Sequence, residues 1–236
     1  EAMSHPMLRI VYEDDDLIVI EKRNGLLSVA TDKQIMRTAY SILSEYVKQS
    51  DPRNKIFVLH RLDRETSGLM MFAKSEAVKF KVQSRWEETV VERKYFAVVE
   101  GIVERDHGTI STYLTESKAL KVYVTAREEG KIANTAYRVL KRSKRNDVTL
   151  LELELETGRK NQIRAHMASI GCPILGDSKY GNNSANRELK LKYQALCAYE
   201  LTMPRFTQPD FAFLSGKTFR APKPWYYSQV LDGTLK

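Results

Sequence analysis

The hydrophobic positions change rhythm several times along the chain, and each rhythm predicts an element. Leu8-Arg9-Ile10-Val11-Tyr12 and Leu17-Ile18-Val19-Ile20 are short, β-branched runs on either side of the acidic turn Glu13-Asp14-Asp15-Asp16, which predicts a hairpin. Over residues 33–47, Ile35, Ala39, Ile42, Leu43, Tyr46 and Val47 recur at helical spacing, until Asp51-Pro52 and Asn54 break the pattern. Residues 56–59 and 69–73 read as two buried strands around a tight polar loop, 60–68. Ser75 caps a predicted helix that runs to about residue 88, with Ala77, Phe80, Val82 and Trp86 supplying its buried contacts, and a strand follows over 95–99. Residues 109–114, 131–140 and 148–155 alternate with a period of two, which predicts an antiparallel meander with a hairpin tip over 141–146. Thr157 is placed as the cap of a helix over 159–169, ended by Gly171 and Pro173. The aromatic run Trp225-Tyr226-Tyr227 is expected to close a core.

Runs of strands mixed with helices define an α+β class. The chain has 236 residues, with no internal repeat and no Pro/Ser-rich linker, so one continuous domain over residues 8–236 is expected behind a short extension, 1–7. Glu1-Ala2 ahead of Met3 reads as a cloning scar, and no apolar stretch suitable for a secretion signal follows it. Hydrophobic residues at 42% and charged residues at 29% exclude disorder as the main reading, and no apolar run approaches the roughly 18 residues of a spanning helix. Two cysteines, Cys172 and Cys197, make no disulfide framework, no Cys/His spacing offers a metal site, and the expected compartment is the cytoplasm.

Charge adds a partner class. A formal net charge of +8 favours polyanions, RNA or DNA first. Residues 131–145 carry Lys131, Arg138, Lys141, Arg142, Lys144 and Arg145 without an acid, so the hairpin tip is either a phosphate contact or a solvated loop, and phosphate contact is the reading preferred.

The loop His60-Arg61-Leu62-Asp63-Arg64-Glu65-Thr66-Ser67-Gly68 sets one carboxylate between two arginines, which favours an ionised Asp63. Such a carboxylate serves as a nucleophile or an electrostatic stabiliser at neutral pH, although a surface ion network or an Asp turn cap uses the same residue types. His60, His166 and Ser67 do not make a serine hydrolase, because no G-x-S-x-G elbow surrounds the serine.

This loop with Leu69 resembles the signature of RluA-type RNA pseudouridine synthases, and further motifs follow in that family's order. They are Val11-Tyr12-Glu13-Asp14, Leu17-Ile18-Val19-Ile20-Glu21-Lys22, Gly25-Leu26, Arg93-Lys94-Tyr95, Thr157-Gly158-Arg159, Gln162-Ile163-Arg164-Ala165-His166 and Leu175-Gly176-Asp177-Ser178-Lys179-Tyr180-Gly181. The resemblance spans roughly residues 8–204. It implies the pseudouridine synthase fold, a mixed, largely antiparallel central sheet flanked by helices and loops with a cleft across it. It also implies a reaction that breaks the N1 to C1′ bond of a uridine inside RNA, turns the uracil and rejoins it through C5. Atoms are conserved, so no redox cofactor, nucleotide or metal is required.

By the same resemblance Asp63 is the catalytic aspartate, Arg164 the basic residue that pairs with it, Tyr95 the ring that stacks on the flipped uracil, and Ile163 either an apolar wall of that pocket or a core residue. Arg61 is the candidate to enter the space left by the flipped base, with a structural ion pair as the other reading. Arg64, Arg159, Lys160, Lys141, Arg142, Lys144 and Arg145 complete the expected RNA contacts. The family's motifs begin near Leu8, so recognition is expected to rest on the catalytic domain without an N-terminal S4 domain. Arg23-Asn24, Lys160-Asn161, Cys172 and Cys197 depart from the usual pattern and bear on substrate choice. The expected substrate is a structured stem-loop of ribosomal or transfer RNA, handled by a monomer. A catalytically idle RNA-binding protein or RNA chaperone is the alternative.

Overall fold

In a computed structural model, which describes residues 3, 5–31, 37–90, 92–182 and 191–235, the acidic turn folds the chain back on itself. Asp14 Oδ1 accepts the backbone N–H of Asp16 and of Leu17, both at 2.8 Å, and so joins β1 (Leu8–Glu13) to the antiparallel β2 (Leu17–Lys22). The chain forms two compact units, the first comprising Glu1–Val91 with Ala198–Ala221 and the second Glu92–Cys197 with Pro222–Lys236.

In the first unit β2 pairs antiparallel with β4 (Ser67–Ala73), from Leu17 against Ala73 to Lys22 against Gly68, and the short β3 (Phe57–Val58) pairs with β4 as well. Leu17, Ile18, Val19 and Ile20, like Leu69, Met70, Met71, Phe72 and Ala73, are fully buried, which explains why both stretches read as continuous apolar runs. The helix expected over 33–47 begins later: α1 is Ala39–Lys48, and residues 32–36 lie outside the described residues. The start is set by a capping box, in which Thr38 Oγ1 accepts the N–H of Ser41 at 3.0 Å while Ser41 Oγ accepts the N–H of Thr38 at 2.9 Å.

Ser75 caps α2 (Glu76–Ser84) as expected, its Oγ accepting the N–H of Val78 at 3.2 Å. The helix stops at Arg85 and resumes as α3 (Trp86–Thr89). The expected buried face is corrected: Val78 and Val82, one turn apart, enter the core, whereas Ala77 is exposed and Phe80 is 73% exposed. At 100° per residue Phe80 points about 200° away from Val78, so the two cannot share a face.

The second unit is an antiparallel sheet of β5 (Glu92–Glu100), β6 (His107–Glu116), β7 (Val122–Thr125), β8 (Lys131–Ser143) and β9 (Val148–Leu155), in the spatial order β5-β9-β8-β6-β7; β6, β8 and β9 lie side by side as the expected meander, but β7 adds to the far side of β6 and β5 pairs with β9. The four-residue β7 was not legible in the alternation. The next helix is α4, Gln162–Ser169, three residues later than expected. Thr157 does not cap it: its hydroxyl donates to Gln162 Oε1 at 2.7 Å and accepts the N–H of Asn134 at 2.9 Å, while Asn161, with φ +51°, takes the cap position. The C-terminal end matches expectation, because Gly171, φ +78°, closes a Schellman motif with Gly171 N–H on Ala168 O and Cys172 N–H on Met167 O, both at 3.0 Å.

Strand β10 (Leu196–Thr202) begins in the second unit and runs into the first, where it pairs antiparallel with β11 (Thr218–Arg220). The last helix, α5 (Trp225–Asp232), buries Tyr226, whose hydroxyl reaches Phe96 O at 3.3 Å, and sets Tyr227 against the Phe96 ring with centroids 4.7 Å apart. The class is α+β.

Candidate active site

The first unit clamps the loop that carries Asp63. Leu62 and Thr66 are buried on either side of it, and the N–H of Thr66 reaches Asp63 O at 3.0 Å, closing a turn over residues 63–66. Residues 22–28 hold the backbone of this turn from outside. Ser28 Oγ donates to Leu62 O at 2.5 Å and accepts the N–H of Leu62 at 3.2 Å. Gly25 N–H donates to Arg64 O at 2.8 Å, Asn24 Nδ2 to Glu65 O at 2.7 Å, and Arg64 Nε returns a bond to Gly25 O at 3.1 Å.

At the centre of the clamp stands Lys22, wholly buried, with Nζ donating to the carbonyls of Leu26 at 2.8 Å and of Arg23 and Arg64 at 3.1 Å. An ammonium has three N–H donors, so this set saturates it. Burial pulls its pKa down to about 7, and the nearby Asp63 carboxylate pulls the other way. Lys22, Asn24 and Ser28 escape a reading of the residues alone, because only the fold brings them to Asp63 from about 40 positions away in the chain.

Gly68, expected at the end of the polar loop 60–68, lies inside β4. Its φ is +118°, and a Cβ there would stand 2.1 Å from the carbonyl oxygen of Ala198, so only glycine fits. His60 is engaged structurally: Nε2 accepts the N–H of Met71 at 2.9 Å, and its ring lies 5.0 Å from that of Trp86.

The second unit holds Tyr95, Ile163 and Arg164. Tyr95 stands on β5 opposite Leu153, half-buried, and packs against the core that contains Ile163, Leu153 and Met167. Ile163 is a core residue, 4% exposed, in the cluster against which Tyr95 packs. Arg164 is fixed by a bidentate pair with Asp177: Nε lies 2.7 Å from Oδ2 and Nη2 2.9 Å from Oδ1, and Asp177 is wholly buried. Asp177 Oδ1 also accepts the N–H groups of Lys179 and Tyr180, at 2.9 and 3.1 Å, and the Tyr180 ring lies 5.4 Å from the guanidinium carbon. The orienting role of Asp177 and Tyr180 was not found from the residues, although both lie in one of the quoted motifs.

Helix α4, which carries Arg164, is pinned to the sheet by two of its own side chains. Gln162 Nε2 donates to Asn134 O and Thr135 Oγ1 at 2.9 and 2.8 Å. His166, fully buried, meets Thr135 Oγ1 through Nδ1 at 2.8 Å and Thr112 Oγ1 through Nε2 at 2.9 Å, and burial lowers its pKa to about 4, leaving a neutral ring.

Of the expected RNA contacts, Arg61 is exposed, and Arg159 is exposed with Nε on Ile132 O at 3.0 Å. Lys160 pairs with Glu116 at 2.9 Å. The hairpin over 141–146 forms, with Lys141, Lys144 and Arg145 exposed. Its basic charge is not uncompensated: Arg142 donates to Val103 O, Glu104 O and the Asp106 carboxylate at 2.7, 2.9 and 2.8 Å, and Arg138 pairs with Glu152 at 3.3 Å. The acids come from residues outside the 131–145 window, which is why a local count missed them. Among the described residues no group of three or more His, Cys, Asp or Glu is placed to hold a metal ion, and no helix is long and apolar enough to cross a membrane.

The description "RNA pseudouridylate synthase" belongs to the family model that matches residues 16–169. An uncharacterized RNA pseudouridine synthase of Aquifex aeolicus (strain VF5) is 33% identical over 229 residues, covering 92% of this chain and 72% of that protein. The ribosomal large subunit pseudouridine synthase D of Nitrosomonas europaea (strain ATCC 19718 / CIP 103999 / KCTC 2705 / NBRC 14298) is 34% identical over 201 residues, covering 83% and 58%. Among solved structures, human RNA pseudouridylate synthase domain containing 4 has the same fold, with a TM-score of 0.74 at 24% identity over 95% of this chain and 92% of that one.

Proposed function

The chain belongs to the RNA pseudouridylate synthase family, and from that premise we propose which of its residues do the chemistry and on what RNA. It is an isomerase that converts uridine within RNA to pseudouridine. The substrate is a structured stem-loop of ribosomal or transfer RNA. A relative named for the ribosomal large subunit, 34% identical, favours ribosomal RNA.

Asp63 is the essential carboxylate. The observation that carries this assignment is the clamp around its turn: the backbone of Leu62, Arg64 and Glu65 is held by Ser28, Lys22, Gly25 and Asn24, so Asp63 projects from a fixed backbone. Such preorganisation is what a reaction at a sugar carbon needs, since a charge aimed beforehand requires no reorganisation as positive character develops. Arg164, held by Asp177, is the basic residue assigned to the aspartate. Tyr95 stacks on the uracil turned out of the helix, with Ile163 behind it. Arg61 enters the vacated stack, and Arg64, Arg159, Lys160, Lys141, Lys144 and Arg145 meet phosphates.

The test is pseudouridine mapping by chemical derivatisation and reverse-transcription stops, comparing a deletion strain with strains complemented by wild-type or Asp63→Asn protein. Stops that vanish on deletion and return only with the wild type are expected, with RNA affinity of the variant within a few fold because phosphate contacts dominate binding. Turnover retained by Asp63→Asn refutes the assignment.

A further inference from the structure

One residue holds both ends of the loop that carries Asp177. Glu100 is the last residue of β5, the strand that bears Tyr95, and its backbone N–H donates to Pro173 O at 2.8 Å. Its side chain reaches the far end of the same loop, where Oε1 and Oε2 both accept the N–H of Asn182, at 2.9 and 3.2 Å. The near end is fastened further by the antiparallel bridge between Val99 and Ile174 and by the N–H of Leu175 on Val98 O at 2.9 Å.

Asp177 stands midway between these ends, and the backbone donors that follow it converge. Lys179 and Tyr180 donate to Asp177 Oδ1 at 2.9 and 3.1 Å, Gly181 to Asp177 O at 2.9 Å, and Asn182 to the Glu100 carboxylate. Successive N–H groups over residues 179–182 therefore end on two acidic residues, one in the loop and one on the strand. Burial pushes the Glu100 carboxyl above its usual range, the Asn182 N–H pulls the other way, and the charge of Asp177 adds to the rise. A half-buried carboxylate near a second one is offset here by a bond from the loop's own backbone. Glu100 lies outside every motif string quoted for the family, whereas Asp177 and Arg164 lie inside them.

We propose that Glu100 is a positioning residue for the isomerisation: by stapling the 173–182 loop at both ends it fixes Asp177, and through Asp177 the plane of the Arg164 guanidinium. The proposal rests on the isomerase reading above and adds a residue to it. The bidentate pair between Asp177 and Arg164 requires a carboxylate held in one plane. Freeing Asn182 lets residues 178–182 swing, and that withdraws the N–H groups of Lys179 and Tyr180 from Oδ1. Glu100 acts from behind the loop, so its loss falls on kcat rather than on RNA binding.

The experiment measures tritium release from total RNA carrying 5-tritiated uridine, isolated from a strain lacking the gene, with kcat and KM separated and RNA affinity taken from filter binding. Glu100→Gln keeps the reach of the side chain, with one carbonyl oxygen still accepting from Asn182, and its kcat is expected within about threefold of wild type. Glu100→Asp keeps the charge but is a methylene too short, and Glu100→Ala loses both. In each of these kcat is expected to fall by about tenfold, with affinity within about twofold of wild type. Native-state hydrogen exchange at Lys179, Tyr180 and Asn182 is expected to quicken in the same two variants, without a matching change in the core strands.

Wild-type kcat in Glu100→Ala overturns the proposal alone, as do unchanged exchange at those amides, equal losses of kcat and affinity, or a fall in Tm that accounts for the loss. A Glu100→Asp protein more active than Glu100→Gln overturns it too, because charge and not reach is then what matters. Absence of tritium release by the wild-type protein overturns the isomerase reading and this one together.

Discussion

Lys22 has the most consequential single environment in the first unit. A lysine without solvent exposure is costly unless its donors are matched, and here three carbonyls, one of them next to Asp63, match them. Lys22→Met keeps the stem and removes the donors, leaving buried carbonyls short of partners. About 2 kcal/mol of stability is expected to be lost, a fall in Tm of about 4–8 °C for a chain of this size. A larger loss of kcat than of RNA affinity is expected as well, because the turn bearing Asp63 slackens while phosphate contacts stay. Thermal melts together with kinetics and filter binding check it, and equal losses in kcat and affinity count against a positioning role. The position of Asp63 between two arginines was readable from the sequence. The lysine behind it was not, because it is joined to Arg64 through a backbone carbonyl across 42 positions.

At the scale of elements, α4 shows how a helix with a weak local signal is positioned. Its starting signal, Thr157, is spent on a bond to the Gln162 side chain, and the helix is held by Gln162 and His166 reaching Thr135 on β8 and Thr112 on β6. His166 sets a pH dependence. Its folded pKa of about 4 lies below the ordinary value of 6.5, so the unfolded chain takes up a proton that the folded one refuses. The contribution is fully present above pH 6.5 and is lost as pH falls from 6.5 towards 4, by on the order of 3 kcal/mol at most. Urea unfolding of wild type and His166→Gln across that interval checks it: the variant is expected to show a shallower decline, and parallel curves refute the assignment. Helix α2 teaches the complementary point. Its cap at Ser75 was legible, but Phe80 was assigned to the core on hydrophobicity alone, whereas the row of Val78 and Val82 meets the buried strands.

For the molecule as a whole, the net charge of +8 directs it towards a polyanion, and at the tip of the β8–β9 hairpin that charge is part bound and part exposed. At the 141–146 tip, Arg142 is bound to Asp106 and to two carbonyls, while Lys141, Lys144 and Arg145 are exposed. Arg142→Gln is therefore expected to lower stability by about 1 kcal/mol and to leave the salt dependence of RNA binding unchanged. Neutralising Lys141, Lys144 and Arg145 together, if they meet phosphates in the complex, flattens that dependence by about 2 to 3 in log K against log salt. Binding titrations from low to moderate salt separate the two, and an unchanged slope in the triple variant returns the tip to a solvated loop.

What the sequence determined by itself was local or carried by contiguous motifs. The β1–β2 hairpin, the buried β4, the Ser75 cap, the Gly171 end of α4, the meander and the family's motif strings all lie within short windows, where periodicity, turn chemistry and residue identity act directly. Only the tertiary structure decided which partners complete those windows: Lys22, Asn24 and Ser28 behind the Asp63 turn, Asp177 and Tyr180 around Arg164, Asp106 on Arg142, and the exposed face of α2. The physical reason is that a hydrogen bond or an ion pair depends on distance in space and its donors carry no mark of their acceptors, whereas a cap or an alternating strand is specified by neighbours only a few residues away.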